Sequence, residues 1–273
     1  MNKIVINKKF LSDTNFDYLE KKALFKNKTE NKFLVLHNIA ISNIEKIVEI
    51  FKKYKVNSHY IVDEKGEIFQ LVNENKIAYH CGASYWRGEE NLNQNSIGIE
   101  FVNLDSFSKK FSKAQIDSGI KLCEDIINRH NIKPKNIVGH SDIAYFSDTD
   151  LYKNLGINGQ LNRKQDPSHL FDWKEFSKNK MGFWYDESKI DFKDFEVDFY
   201  LGQKKLGIKN IKQKLKNIGY KTNLTDYFDL EFKNLVIVFC RRFVSNKLAF
   251  AEEGQWLKNF SKILNLLEIK YEK

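Results

Sequence analysis

Short apolar runs separated by stretches of helical period constrain this chain more than any other feature of it. Phe33-Leu34-Val35-Leu36 is bulky, apolar and too short for a helix, the pattern of a strand covered on both faces. Ile44, Ile47, Val48 and Phe51 then recur at i, i+3, i+4 and i+7, which predicts a helix through Tyr54 capped by Ser42 or Asn43. The runs 58–62 and 67–72 flank Asp63-Glu64-Lys65-Gly66, a hairpin with Gly in the left-handed position. Residues 96–102 form a further buried strand, and a long helix from about Ser112 to His130 carries Ile116, Ile120, Cys123 and Ile127 on one face. Ile137-Val138-Gly139 is a short strand ending at His140. Strands alternating with helices predict an α/β fold, a mixed central β-sheet flanked by helices.

The periodicity fades between Met181 and Val197, where Gly, Asp, Lys and aromatic residues dominate. A boundary there divides the chain into a domain over 1–180, a linker over 181–197 and a smaller helical domain over 198–273. In the last, Ile208, Ile211, Leu215 and Ile218 form one stripe ending at Gly219, a helix C-cap. Further helices are expected over 230–243 and 252–267, making a small C-terminal three-helix bundle. With 42% hydrophobic and 14% aromatic residues, 273 residues suffice to bury a proper core.

The net charge of +9 attracts acidic polymers, nucleic acid and carboxylate-bearing cell wall alike, but basic and acidic residues are interspersed and no nucleic-acid motif accompanies the charge. Nucleic acid is therefore not an expected partner. Cys81, Cys123 and Cys240 are few, odd in number and widely spaced, so free, partly buried thiols are expected rather than disulfides or a cysteine metal cage. No stretch approaches 18 apolar residues, so no transmembrane segment is expected. The first residues lack an apolar run of seven, so no secretory leader is visible. A cytoplasmic location is expected on that ground, with the periplasm or cell envelope as the alternative. Oligomeric state is not legible.

His37 and His140 each end an apolar strand, where α/β sheets build their sites. Asp166 precedes Pro167, which stiffens the chain beside the carboxylate. Two imidazoles and a carboxylate leave the fourth position of a zinc ion open for water. By spacing alone, ordinary structural roles for these three residues stay equally open.

The words around them narrow the choice. Leu34-Val-Leu-His37-Asn-Ile, Ser58-His-Tyr-Ile-Val-Asp63, Tyr79-His-Cys-Gly82, Asn95-Ser-Ile-Gly-Ile-Glu100, Val138-Gly-His-Ser-Asp142 and Arg163-Lys-Gln-Asp-Pro167 occur in this order. Together they resemble the family-2 N-acetylmuramoyl-L-alanine amidases, over residues 30 to 178. The resemblance implies one Zn2+ ion held by His37, His140 and Asp166, with Glu100 as general base and Lys164 as the cation facing the tetrahedral oxyanion. It implies hydrolysis of the amide between N-acetylmuramic acid, in its ordinary or 1,6-anhydro form, and L-alanine in peptidoglycan or muropeptides. The alternative is a recognition protein that binds peptidoglycan without cutting it; loss of a ligand, of Glu100 or of Lys164 would favour that, and all are present. Members lacking the glutamate use a tyrosine where this chain has Ser58, so the glutamate mechanism is expected and His59 reads as structural. Asn38, His80, Trp86 and Arg87 are the candidate substrate contacts: Asn38 for sugar or peptide, Trp86 stacking on a sugar, Arg87 pairing with a stem-peptide carboxylate.

Two departures stand out. About fifteen residues, 145–161, are inserted between His140 and Asp166, and Ser168 replaces the usual Gly after Asp-Pro. The insertion is expected to border the groove and restrict which muropeptides enter. The C-terminal domain resembles the small three-helix peptidoglycan-binding domain through Ile211-Lys-Gln-Lys-Leu215, Gly219-Tyr220, Phe228-Asp229 and Arg242-Phe243.

Overall fold

A computed structural model describes residues 4–11, 30–145 and 164–272; the inserted segment apart from Tyr145 lies outside the described residues. The chain divides into two compact units. The first comprises the described parts of Met1–Ser84, Asn91–His140 and Asp166–Gly182. The second takes Phe183–Lys273 together with the described part of Ser141–Gln165 and with Tyr85–Glu90, which forms the antiparallel ribbon of β5 (Tyr85–Trp86) and β6 (Glu89–Glu90).

The first unit is built on a six-stranded mixed sheet. Its strands are β1 (Ile6–Asn7), β2 (Phe33–Ile39), β3 (Tyr60–Val62), β4 (Ile68–Gln70), β7 (Ser96–Val102) and β8 (Ile137–Gly139), in the order β1-β4-β3-β7-β2-β8. Strands β3, β7, β2 and β8 run parallel, while β4 turns back antiparallel to β3 through the expected hairpin, with Gly66 at φ +84°. Central β2 and β7 are buried on both faces, which is why their sequences are nearly continuous apolar runs.

Helix α1 (Ile44–Tyr54) starts where Asn43, not Ser42, accepts the N–H of Lys46. Its stripe of Ile44, Ile47, Val48 and Phe51 is buried against Ile61, Phe69, Leu71 and Val72. Helix α2 (Lys113–His130) is capped by Ser112. Behind the sheet, Phe101, Phe111, Phe171 and Phe176 of this unit pack edge-to-face or tilted, with ring centroids 4.9–6.3 Å apart. The short helices α3 (His140–Ile143) and α4 (Trp173–Lys178) complete the described helices before residue 180.

The second unit holds α5 (Leu206–Ile218), α6 (Leu230–Phe243), α7 (Leu248–Glu252) and α8 (Lys258–Glu272). The stripe Ile208, Ile211, Leu215 and Ile218 is buried, and Gly219 ends α5 as expected. The last helix differs from the sequence reading. Gly254 adopts φ +78°, which ends the helical turn, and Gln255–Leu257 forms strand β10 paired antiparallel to β9 (Val197–Tyr200) before α8 begins. A three-residue strand is too short for its alternation to register in a sequence. Buried Lys212 ties the loop after α5, its ammonium donating to Asn223 Oδ1, Thr225 Oγ1 and the carbonyl of Tyr227 at 2.8–2.9 Å. The three cysteines are buried thiols outside any disulfide. Among the described residues no helix is long and apolar enough to cross a membrane.

Candidate metal centre

Sheet register assembles the site. In the parallel β2–β7 pair His37 lies directly opposite Glu100, and in the β2–β8 pair Leu36 lies opposite Gly139. His140 follows Gly139, so the chain delivers His140, His37 and Glu100 side by side at the carboxyl ends of three adjacent strands. Sites in open α/β sheets form at such ends because the connections there are free to vary. Asp166 completes the group: ligand atoms of His37, His140 and Asp166 all lie within 4.8 Å of one another, a cluster that could hold a metal ion. The two Nδ1 atoms are 3.0 Å apart, and Asp166 Oδ2 is 3.2 Å from His37 Nδ1 and 3.0 Å from His140 Nδ1. Both imidazoles are buried, while the carboxylate side chain keeps 20% of its exposure. Burial alone would push the Asp166 carboxyl up; the His140 charge and hydrogen bonds from both histidines overcome this and hold it well below the usual carboxylate range.

The outward nitrogens of both imidazoles are engaged as well. His37 Nε2 lies 2.9 Å from His80 Nδ1, and His140 Nε2 donates to the carbonyl of Cys81 at 2.9 Å. His59, buried, accepts the N–H of Gly98 on Nδ1 and donates from Nε2 to the carbonyl of Lys76, which fixes β3 against β7. Its role is structural.

The four candidate substrate contacts have other employment. Asn38 donates to the carbonyls of Phe101 and Asn103 and accepts from Ser106, which joins the turn after β7 to β2. His80 bonds His37. Trp86 is fully buried in the second unit, edge-on to Tyr220 at 4.9 Å, so its faces are covered by protein and offer no platform for a sugar. Arg87 donates from its guanidinium to the carbonyls of Asn217 and Ile218 at the end of α5, and its own N–H bonds Gly219. A cation there satisfies orphan helix carbonyls and complements the helix dipole. This offsets the φ of +52° that Arg87 adopts in its turn with Gly88. Glu100 and Lys164 are half-buried, the latter two residues before Asp166 in the chain.

Asn93 and Gly98 escaped the sequence reading. Asn93 Oδ1 accepts the N–H groups of both His80 and Cys81, at 2.9 and 2.8 Å. A Cβ on Gly98 would lie 2.6 Å from the His80 ring. A glycine inside the strand Ser96-Ile-Gly-Ile-Glu was the available signal for a close approach; nothing local marks Asn93.

A mixed sheet with two imidazoles and a carboxylate converging at its parallel strand ends defines an α/β protein with a side-chain cluster that could hold one metal ion. The family model for N-acetylmuramoyl-L-alanine amidase matches residues 27–168, more than half of the chain, and the chain belongs to that family. N-acetylmuramoyl-L-alanine amidase AmiD of Escherichia coli is 35% identical over 175 residues, and 1,6-anhydro-N-acetylmuramyl-L-alanine amidase AmpD of Enterobacter cloacae 33% over 116. These matches cover 59% and 42% of this chain and 57% and 52% of the relatives, so the chain spans little more than half the length of either. The structure of Escherichia coli AmiD with anhydro-N-acetylmuramic acid-L-Ala-D-γ-Glu-L-Lys superposes with a TM-score of 0.68 and 28% identity, over 89% of this chain and 91% of that one. Pseudomonas aeruginosa AmpDh3 with an anhydromuramic pentapeptide gives 0.68 and 27%, over 90% and 94%.

Proposed function

We propose that this chain is a zinc amidase that cuts the bond between the lactyl group of N-acetylmuramic acid, preferentially in the 1,6-anhydro form, and L-alanine. The observation that carries the reading is the convergence of the ligand atoms of His37, His140 and Asp166 within 4.8 Å. The donor set supports zinc: ligands about 2.0–2.1 Å from a tetrahedral zinc stand about 3.3 Å apart, close to the 3.0–3.2 Å separations here. The anhydromuramyl peptides bound to the two structural relatives support the substrate class.

Bound zinc would bring the pKa of a water to about 7 and polarise the scissile carbonyl, supplying a nucleophile at neutral pH. We assign Glu100 the general base that accepts the proton of the attacking water and returns it to the leaving nitrogen of L-alanine; its register opposite His37 supports this. Lys164 is assigned the positive charge that meets the tetrahedral oxyanion, a contribution of about 3–4 kcal/mol to the barrier. Residues 198–273 are read as a peptidoglycan-binding-like unit that brings the enzyme to wall material.

One digest series tests all of this: intact sacculi, muropeptides and anhydro-muropeptides, each with zinc and with chelator. Release of free stem peptide is expected only with metal, and fastest from anhydro-muropeptides. Glu100→Ala and Lys164→Ala should keep zinc and lose about a hundredfold or more in rate. Near-normal rates in either variant, or peptide release from the metal-stripped protein, would defeat the mechanism. Binding of muropeptide without release of peptide would instead make the chain a recognition protein.

A further inference from the structure

The two metal-facing histidines are gripped from behind by two consecutive residues. His80 holds His37 through its side chain, and Cys81 holds His140 through its main-chain carbonyl, both at 2.9 Å. The dipeptide is itself anchored, since Asn93 Oδ1 takes both of its N–H groups. A metal ion taken by the Nδ1 atoms that face Asp166 would set the tautomers behind them. With Nδ1 given to the ion, His37 would carry its hydrogen on Nε2 and donate it to His80 Nδ1. The His80 hydrogen then sits on Nε2, 3.3 Å from Ser96 Oγ, and the Ser96 hydroxyl donates onward to the carbonyl of Leu92. In that state every donor of the relay from His37 through His80 to Ser96 points away from the ion, and the Nδ1 lone pair of His37 serves as its ligand.

We infer that His80 is a positioning residue for the metal, not a contact for substrate: it fixes the tautomer and ring plane of His37. Gly98 belongs to the same device, because a side chain there would occupy the volume of the His80 ring. The ring planes of His37 and His80 stand at 90°, centroids 5.0 Å apart, so a small displacement of His80 turns the acceptor off the Nε2–H axis. Partners of this kind orient metal-binding imidazoles and raise their basicity; losing one costs about 10–100-fold in metal affinity. The inference rests on the zinc site proposed above, but not on the reaction.

The test measures zinc affinity by competition with a chromophoric chelator, zinc-dependent elevation of melting temperature, and kcat and KM on an anhydro-muropeptide. His80→Ala should weaken zinc binding about 10–100-fold and shrink the zinc-dependent rise in melting temperature, with KM unchanged at saturating zinc. His80→Asn, whose Oδ1 falls where His Nδ1 lies, should recover most of the affinity. Gly98→Ala should weaken zinc binding although it removes no polar group. A purely structural role would lower the melting temperature of the metal-free protein and leave the zinc-dependent increment intact. That result overturns the proposal, as does wild-type zinc affinity in His80→Ala with a raised KM, which would return the ring to substrate binding. Wild-type protein that binds zinc tightly yet releases no peptide would sink the amidase reading and leave the positioning role standing.

Discussion

Replacing Asp142 by alanine removes one side of an ion pair that lies inside the second unit. Its carboxylate is 1% exposed and accepts from the Arg242 guanidinium, itself 2% exposed, and from the Tyr220 hydroxyl at 3.1 Å. Burial would lower the Arg242 pKa, but Asp142 more than compensates, so the guanidinium stays charged. Without the carboxylate a charged group is stranded in the interior at a cost of about 3–5 kcal/mol. The Tyr220 hydroxyl also loses its acceptor, which is worth about 1 kcal/mol or more. At roughly 2–4 °C per kcal/mol, a loss near 4 kcal/mol lowers the melting temperature by about 10 °C. The control is the double variant Asp142→Leu/Arg242→Met. Exchanging a whole buried pair for apolar side chains is often neutral or stabilising, so the double should recover to within about 1 kcal/mol of the parent. Calorimetry is the assay, with urea unfolding followed by tryptophan fluorescence, because two units need not melt together. An Asp142→Ala loss below about 1 kcal/mol, or a double variant as unstable as the single, would refute the reasoning.

Three further outcomes follow from the same kind of accounting. A fragment of residues 183–273 lacks Trp86, Asp142 and Tyr145, which pack or bond against Tyr220, Arg242 and Lys221; near-UV circular dichroism should show it without fixed tertiary packing, and a sharp native spectrum would contradict this. Burial alone would raise the Glu74 carboxyl, but hydrogen bonds from Arg129, His130 and Tyr60 hold it down to about 2. It therefore stabilises the fold fully above its unfolded-state pKa of about 4.3, and this contribution of about 3 kcal/mol fades as pH falls toward 2. Glu74→Gln should be less stable at neutral pH and should show less of that acid dependence in urea titrations. Ser168 is buried at φ +98°, where glycine is favoured, and its hydroxyl donates to the carbonyl of Ser106 and accepts from the N–H of Leu170. Ser168→Ala keeps the strain and loses both bonds, about 1–3 kcal/mol, whereas Ser168→Gly sheds strain of about 1–3 kcal/mol and should melt above Ser168→Ala.

Elements whose evidence is local were legible in the sequence. The strands around Leu34, Ile99 and Val138, the helix stripes from Ile44 and Ile208, and the C-cap at Gly219 follow from side-chain period and turn chemistry alone. The pairing of Gln255–Leu257 with Val197–Tyr200 did not, because a three-residue strand has no period and its partner lies more than fifty residues back.

The same division runs through the site. His37, His140 and Asp166 stood out because two of them end apolar strands and all three sit in recognisable words; parallel register then sets the two histidines side by side, and the loop before Pro167 brings Asp166 to them. The jobs of their neighbours were decided only in three dimensions. His80 turns to His37 across 43 residues, Asn38 reaches across 68 residues to Ser106, and Arg87 caps a helix 131 residues away. Asp142, two residues after His140, serves Arg242 one hundred residues on. A sequence shows which side chains carry donors, acceptors and charge. Partner choice depends on which distant backbone the fold brings within 3 Å, and no local pattern encodes that distance.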